Sequence, residues 1–158
     1  MSGLPLTGRK ARDFWSDLWQ RGDFWNFETS EYERARCARL VTILSGRRYA
    51  RALEIGCGAG YFTRLLADIA DQIVAFDIAP AAVARARMLG ADLQTVEFRL
   101  ANAMDGEWRA DGPWDLVVCS DTICYLGWVY TFFDVAWFVA ELFAATRSGG
   151  RLLLANTM

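Results

Sequence analysis

The sequence predicts an α/β fold, a three-layer αβα sandwich built on a mostly parallel sheet, from three observations. Short apolar runs at 51–55, 72–78, 94–100, 114–120 and 150–156 are separated by helical or loop segments, a repeated strand–helix–strand order. These runs are rich in Val, Ile and Leu on both faces, as strands covered from two sides must be. A turn containing Gly56, Gly58 and Gly60 follows the first run, between a strand and a crossover helix.

The elements follow in order. Phe14, Trp15, Leu18 and Trp19 recur at helical spacing and Gly22 supplies a stop. Ser30 and Glu33 have capping-box spacing, Cys37, Leu40, Val41 and Leu44 form an apolar stripe, and Gly46 ends it. These two helices make residues 1–46 a helical cap ahead of a core at 47–158. Phe62, Leu65, Leu66 and Ile69 mark the first crossover helix, and Pro80 fits the first turn of the next, which runs toward Gly90. Between the fourth and fifth strands, a helix over 131–147 carries Phe132, Phe133, Val135, Trp137, Phe138, Val139, Leu142 and Phe143, so it is apolar nearly all round. Either the core is thick there or the helix meets a second surface.

A chain of 158 residues with 54% hydrophobic residues has the size and composition of one folded domain. Its formal charge of −2 gives no footprint for a phosphate backbone, so nucleic acid is not an expected partner. Met1 to Lys10 lacks a continuous apolar stretch, and Phe132 to Ala145 is too short to span a bilayer and carries Asp134 and Glu141. The expectation is a cytoplasmic protein with no membrane segment. Cys37, Cys57, Cys119 and Cys124 form no CxxC pair, and the absence of histidine removes the usual zinc sites and the commonest general base.

The glycine turn offers backbone amides at a helix start with no side chains in the way, which suits a nucleoside-containing ligand. A dinucleotide fingerprint would place glycine at 61, where this chain has Tyr61, and no GKS or GKT sequence marks a triphosphate loop. The second strand closes on Asp77, seventeen residues after Gly60, where a carboxylate can accept both hydroxyls of a ribose. Asp77 also reads as an acid ahead of a helix N-terminus.

Residues 53–63, together with Asp77, Ala101-Asn102-Ala103-Met104, Trp114 to Ser120 and Ser148 to Leu153, resemble the motifs of class I S-adenosylmethionine-dependent methyltransferases in the right order. Within that superfamily, Asp23-Phe24-Trp25, Ser30 to Arg36 and Cys124-Tyr125-Leu126 resemble the nodulation protein S group of N-methyltransferases. The resemblance implies a Rossmann-like sheet in the order 3-2-1-4-5 and S-adenosyl-L-methionine as cofactor. It also implies a small-molecule methyl acceptor, an amine on a sugar-derived or other metabolite, with O-methylation as an alternative.

The resemblance further implies residue roles. Gly56, Cys57, Gly58 and Gly60 would admit the methionine part, with Glu54 orienting the loop unless it pairs with an arginine. Asp77 would take the ribose hydroxyls, Ile78 would pack on adenine, and Asn102 would accept from the adenine amino group where the family usually has aspartate. Ala103 and Met104 would cover the ring, Met104 reading equally as core filling. The Ser120 carbonyl would receive the methionyl ammonium. Arg36 would bind the carboxylate or belong to a solvated face. Trp25, Phe27 and Tyr32 would cap the cofactor or form an aromatic minicore.

Methyl transfer from a sulfonium depends mainly on positioning, so the absence of histidine is no obstacle. Asp121 and Tyr125, at the fourth-strand edge, are the candidate proton acceptors, on position alone. The family fold has two further strands and a helix beyond the fifth strand. The expectation is therefore a fifth strand that is either an open edge or completed by another molecule, with a second copy or further polypeptide as the candidates to cover residues 131–156. A rival from another class is a cofactor-binding module without turnover that acts through the 131–147 helix.

Overall fold

The computed structural model describes residues 6–157; residues 1–5 and 158, which include part of the stretch Met1 to Lys10, lie outside the described residues. Its strands are β1 (Tyr49–Ile55), β2 (Ala70–Asp77), β3 (Val96–Leu100), β4 (Trp114–Ser120) and β5 (Thr146–Ala155), and every pairing among them is parallel. Their order is β3-β2-β1-β4-β5, as the resemblance implies. β1 is central, with Ala52 level with Ile73 on one side and Leu116 on the other. The order reverses between β1 and β4, and such a switch point opens a crevice at the carboxyl ends of the strands.

The alternation of strand side chains divides the core in two. Ala52, Ile73, Ala75, Leu116 and Val118 face three helices: α2 (Glu31–Leu44) through Cys37 and Leu44, α3 (Tyr61–Leu66) through Phe62 and Leu66, and α4 (Pro80–Leu89) through Val83 and Ala86. Leu53, Ile55, Val74, Phe76, Val117 and Cys119 face the opposite way, onto Trp108 and onto Phe138 and Leu142 of a later helix at Phe132–Ala145. α1 (Leu6–Gln20) lies across α4, with Trp19 packed among Ala59, Ala79 and Ala82. α5 (Ile123–Val129) leads into α6 (Phe132–Ala145). No helix of the described residues is long and apolar enough to cross a membrane.

Several boundaries differ from the sequence expectation for physical reasons. α1 begins at Leu6 because Arg9, Lys10, Ala11 and Arg12 favour helix without adding an apolar stripe. α3 stops at Leu66; Ile69 leaves the helix and gives its carbonyl to the Tyr49 amide at 2.9 Å, at the foot of β1. The Ser30 hydroxyl accepts from the Glu33 amide at 3.2 Å, but Glu33 turns its carboxylate to Arg36, so only half of the capping box forms. The complete box is at Thr131 and Asp134, where α6 starts. α5 was not expected, since a seven-residue helix with Gly127 inside it and no fully buried residue leaves no periodic signal. β5 follows α6 directly and takes up its register by an irregularity between Trp114 and Leu116.

The apolar residues of α6 do not all enter the core. Phe138 and Leu142 are buried, whereas Phe132, Phe133, Trp137 and Phe143 are 80%, 81%, 66% and 73% exposed. A thick core is therefore not what absorbs them.

Candidate functional site

The loop after β1 is stitched to its neighbours by the backbone. The amides of Gly56 and Cys57 both donate to the Phe76 carbonyl, at 2.8 and 3.0 Å, which turns the chain across the end of β2. Gly56 has φ +75°, and a Cβ there would overlap the Thr122 hydroxyl, which itself bridges the Ile55 and Ser120 carbonyls at 3.2 and 3.1 Å. Gly58 lies under α1, where a Cβ would press on the Trp19 ring at 2.8 Å. Gly60 faces the other way: a Cβ there would meet Phe98 at 3.2 Å and Ala86 at 3.5 Å. Gly60 lies outside the cleft lining, so its small size serves close packing of α3 on β3 and α4, a correction to its expected place beside a ligand.

Asp77 ends β2 at the same cleft. One carboxylate oxygen accepts from the Ala79 amide at 2.8 Å and the other from the Gly58 amide at 3.0 Å. Burial raises its pKa, and these amide contacts act against the rise. Asp77 accepts from the amide ahead of α4, as its helix-start alternative has it, and it lines the cleft beside Ile78. Asn102 is 6% exposed; its side-chain oxygen accepts from the Met104 amide at 3.2 Å, and its nitrogen donates to Asp105 at 3.1 Å and to the Tyr130 hydroxyl at 3.2 Å. Ala103 joins it in the cleft lining, whereas Met104 packs into the core below, its core-filling alternative.

Glu54 has the least ordinary environment. It is 3% exposed, one carboxylate oxygen has no hydrogen-bond partner, and no arginine pairs with it among the described residues. Burial pushes its pKa up to about 8; the Thr63 hydroxyl acts against the rise and the nearby Asp77 charge adds to it. A buried acceptor without a donor costs about 1–3 kcal/mol, which a ligand donor reaching it would recover.

Across the cleft, Arg36 reaches from α2 to the end of β4. Its guanidinium pairs with Glu33 at 2.7 Å and Asp121 at 2.6 Å, so it is no solvated face. Burial pulls its pKa down, and these two acids more than offset that, leaving it raised. Asp121 has φ +52°, tolerable for aspartate, and is held from several sides. Its carboxylate accepts from the Ser120 hydroxyl at 3.1 Å, the Thr157 amide at 2.7 Å and the Thr157 hydroxyl at 3.2 Å, and it pairs with Arg36. That occupancy suits a positioning residue better than the expected proton acceptor. Tyr125 lines the cleft, and burial above all raises its pKa from 10, so at neutral pH it holds its proton rather than taking one.

Trp25 and Phe27 lie at the cleft, with the Phe27 ring stacked on Tyr61 at 5.5 Å. Tyr32 is 61% exposed and outside the lining, so it does not join them. The cleft also holds Trp15, Trp19, Thr122, Tyr130 and Thr157, which sequence reasoning did not select. Trp15 and Trp19 were visible as a helix stripe; the other three carried no signal, because their places depend on contacts with distant segments.

The comparisons with known proteins agree with this architecture. Residues 53–154 match the family described as Methyltransferase domain. Nodulation protein S of Rhizobium tropici is 26% identical over 157 residues, covering 97% of this chain and 64% of that protein. A probable S-adenosylmethionine-dependent methyltransferase of Mycolicibacterium smegmatis is 33% identical over 155 residues, covering 98% of this chain and 52% of that protein. The chain thus spans about half to two thirds of the length of these relatives. Among solved structures, the N-methyltransferase NodS of Bradyrhizobium japonicum WM9 in complex with S-adenosyl-L-homocysteine superposes with a TM-score of 0.81 at 22% identity, covering 91% of this chain and 71% of that one. With the family matched over well over half of its residues, this chain belongs to the methyltransferase domain family.

Proposed function

We propose that this protein binds S-adenosylmethionine in the cleft at the carboxyl ends of β1, β2 and β4 and methylates an amine on a small-molecule acceptor. The observation that carries the reading is the pairing of Asp77, fixed by two amides beside the glycine loop, with Glu54, buried and short of a donor in the same cleft. A vicinal diol and an ammonium group are what two such carboxylates accept. Gly56 and Gly58 line the same cleft, and the positions their side chains would take are filled by Thr122 and Trp19, so the loop keeps its close fit only with glycine there.

Within this reading, Asp77 holds the ribose, Ile78 and Ala103 flank the adenine, and Asn102, whose oxygen keeps one lone pair free, accepts from the adenine amino group. Glu54 and the Ser120 carbonyl hold the methionyl ammonium, and Arg36 offers its remaining N–H groups to the carboxylate. Bound there, S-adenosylmethionine supplies a methyl group on a sulfonium, already activated for displacement. The chain's own task is to exclude water and hold the acceptor nitrogen in line. Trp15, Trp19 and Trp25 roof the cleft for that purpose. With Tyr125 protonated and Asp121 committed to Arg36 and Thr157, the acceptor's proton leaves to solvent.

Calorimetry with S-adenosylhomocysteine, followed by labelled methyl transfer to a panel of amines, tests the proposal. The expected outcome is binding by the wild type and an affinity at least tenfold weaker for Asp77→Ala. A well-folded protein that binds NADH and not S-adenosylhomocysteine would overturn it. Transfer to alcohols alone would move the acceptor from nitrogen to oxygen.

A further inference from the structure

The outer half of the cleft is built from aromatic rings. Trp15 of α1 meets Tyr125 of α5 with ring centroids 4.5 Å apart, and lies nearly parallel to Trp25 at 6.2 Å and to Trp128 at 6.4 Å. Tyr125 and Trp128 meet edge to face at 5.2 Å. Trp15, Trp25 and Tyr125 line the cleft, and Trp128 stands at its rim, 74% exposed. An indole left that open buries little of its own surface on folding, so packing alone gives a weak account of its position.

The charges of the cleft are one-sided. Among the described residues that line it, Glu33, Glu54, Asp77 and Asp121 are acids and Arg36 is the sole base. Glu33 and Asp121 already occupy that guanidinium. With Asp77 and Glu54 engaged by the cofactor on the reading above, a phosphate, sulfate or carboxylate on the acceptor would find no uncommitted cation in this lining. A cation meets the opposite situation, since the negative faces of the indole rings at the mouth attract it.

We infer that the acceptor is an amine carried on an apolar aryl or alkyl body without any anionic group, its body held against Trp15 and Trp128 at the aromatic mouth of the cleft. This rests on the methyltransferase reading and adds to it the class of acceptor. It excludes phosphorylated and carboxylated amines and gives Trp128 a part in acceptor selection. The rim position of Trp128 also allows it to be removed without opening the core.

The test is a titration of the S-adenosylhomocysteine-loaded protein, followed by tryptophan fluorescence and calorimetry, with phenethylamine, phosphoethanolamine, 3-phenylpropionate and glucosamine as probes. Phenethylamine is expected to bind at least tenfold more tightly than each of the other three. Trp128→Ala should weaken phenethylamine about fivefold, the order of one cation–π contact. Trp128→Phe should retain most of the affinity, and both variants should bind S-adenosylhomocysteine as the wild type does. Phosphoethanolamine, phenylpropionate or glucosamine binding as tightly as phenethylamine would overturn the inference, and so would an unchanged phenethylamine affinity in Trp128→Ala. Failure of the wild type to bind S-adenosylhomocysteine is read in its own titration beforehand; it defeats the methyltransferase reading and this inference with it.

Discussion

On one face of the sheet, Leu44, Leu66, Val83 and Ala86, from three different helices, close over Ala52, Ile73, Leu116 and Val118. On the other face, Phe138 and Leu142 of α6, with Trp108, cover Leu53, Val74, Phe76 and Val117. The first face exposes large apolar side chains only singly, at Tyr32, Ile43 and Met88, and sends Glu33 and Arg36 of α2 to the cleft above. The second leaves four large rings of α6 facing out, and its charged residues are already used: Asp134 in the capping box and Glu141 on Arg109. The difference teaches that the same sheet is finished in two ways. Around β1 and β2 the contacts are local to successive strand–helix units, whereas around α6 the sequence supplies more apolar surface than the described residues can bury.

Substitutions can sharpen or break that contrast, and the largest effect should come from inside α6. Phe138→Ala removes a ring that is 1% exposed and meets Trp108 edge-on at 6.2 Å. The cavity should cost about 3–5 kcal/mol, read as a lower midpoint in urea unfolding with little change in slope. A cost below about 1 kcal/mol would mean that α6 is not seated on the sheet as described.

Next in size is Glu54→Gln, on the cleft side. The folded-state pKa of Glu54 lies near 8, above its ordinary 4.5, so the neutral form is the one that folding favours. Its destabilising effect is absent below about pH 4.5, grows as the unfolded chain ionises, and is complete above about pH 8. Glu54→Gln should therefore raise the melting temperature at pH 8 by about 3–6 °C, corresponding to about 1–2 kcal/mol, and leave it nearly unchanged at pH 4. It should also weaken S-adenosylhomocysteine binding. The wild-type affinity should itself rise from pH 6 to pH 8, because an ammonium ligand needs the ionised carboxylate. A flat pH dependence in both measurements would remove Glu54 from the site.

The smallest effect belongs to the outer surface of α6. Phe133→Ser, at a position 81% exposed, should change stability by no more than about 0.5 kcal/mol while reducing aggregation in light scattering. A loss comparable to Phe138→Ala would show that this face is covered in solution, and the contrast between the two faces would then disappear.

Much of the fold and part of the site could be read from the sequence. The strands at 51–55, 72–78 and 114–120 announced themselves because a doubly covered strand needs a continuous apolar run, and a run is a local property. Gly56, Gly58 and Asp77 were legible for a similar reason: a strand–turn–helix unit places them within one stretch of chain. Gly60 and Met104 were named with the site but face the core, since spacing does not reveal on which side of a turn a residue lies. α5 escaped because seven residues are too few to show a period.

What the sequence alone determined is the alternating α/β order, the glycine turn and the acid that follows it, all products of steric rules acting over a few residues. Only the tertiary structure decided that Thr122 closes over Gly56, that Arg36 and Thr157 hold Asp121, and that one oxygen of Glu54 is left without a partner. The Thr122 hydroxyl meets the Ile55 carbonyl 67 residues back, and Thr157 reaches Asp121 across 36 residues. Such contacts are fixed by the order in which strands line up in the sheet, which brings distant loops to one edge. A residue's partners there are set by topology, and no pattern along the chain encodes them.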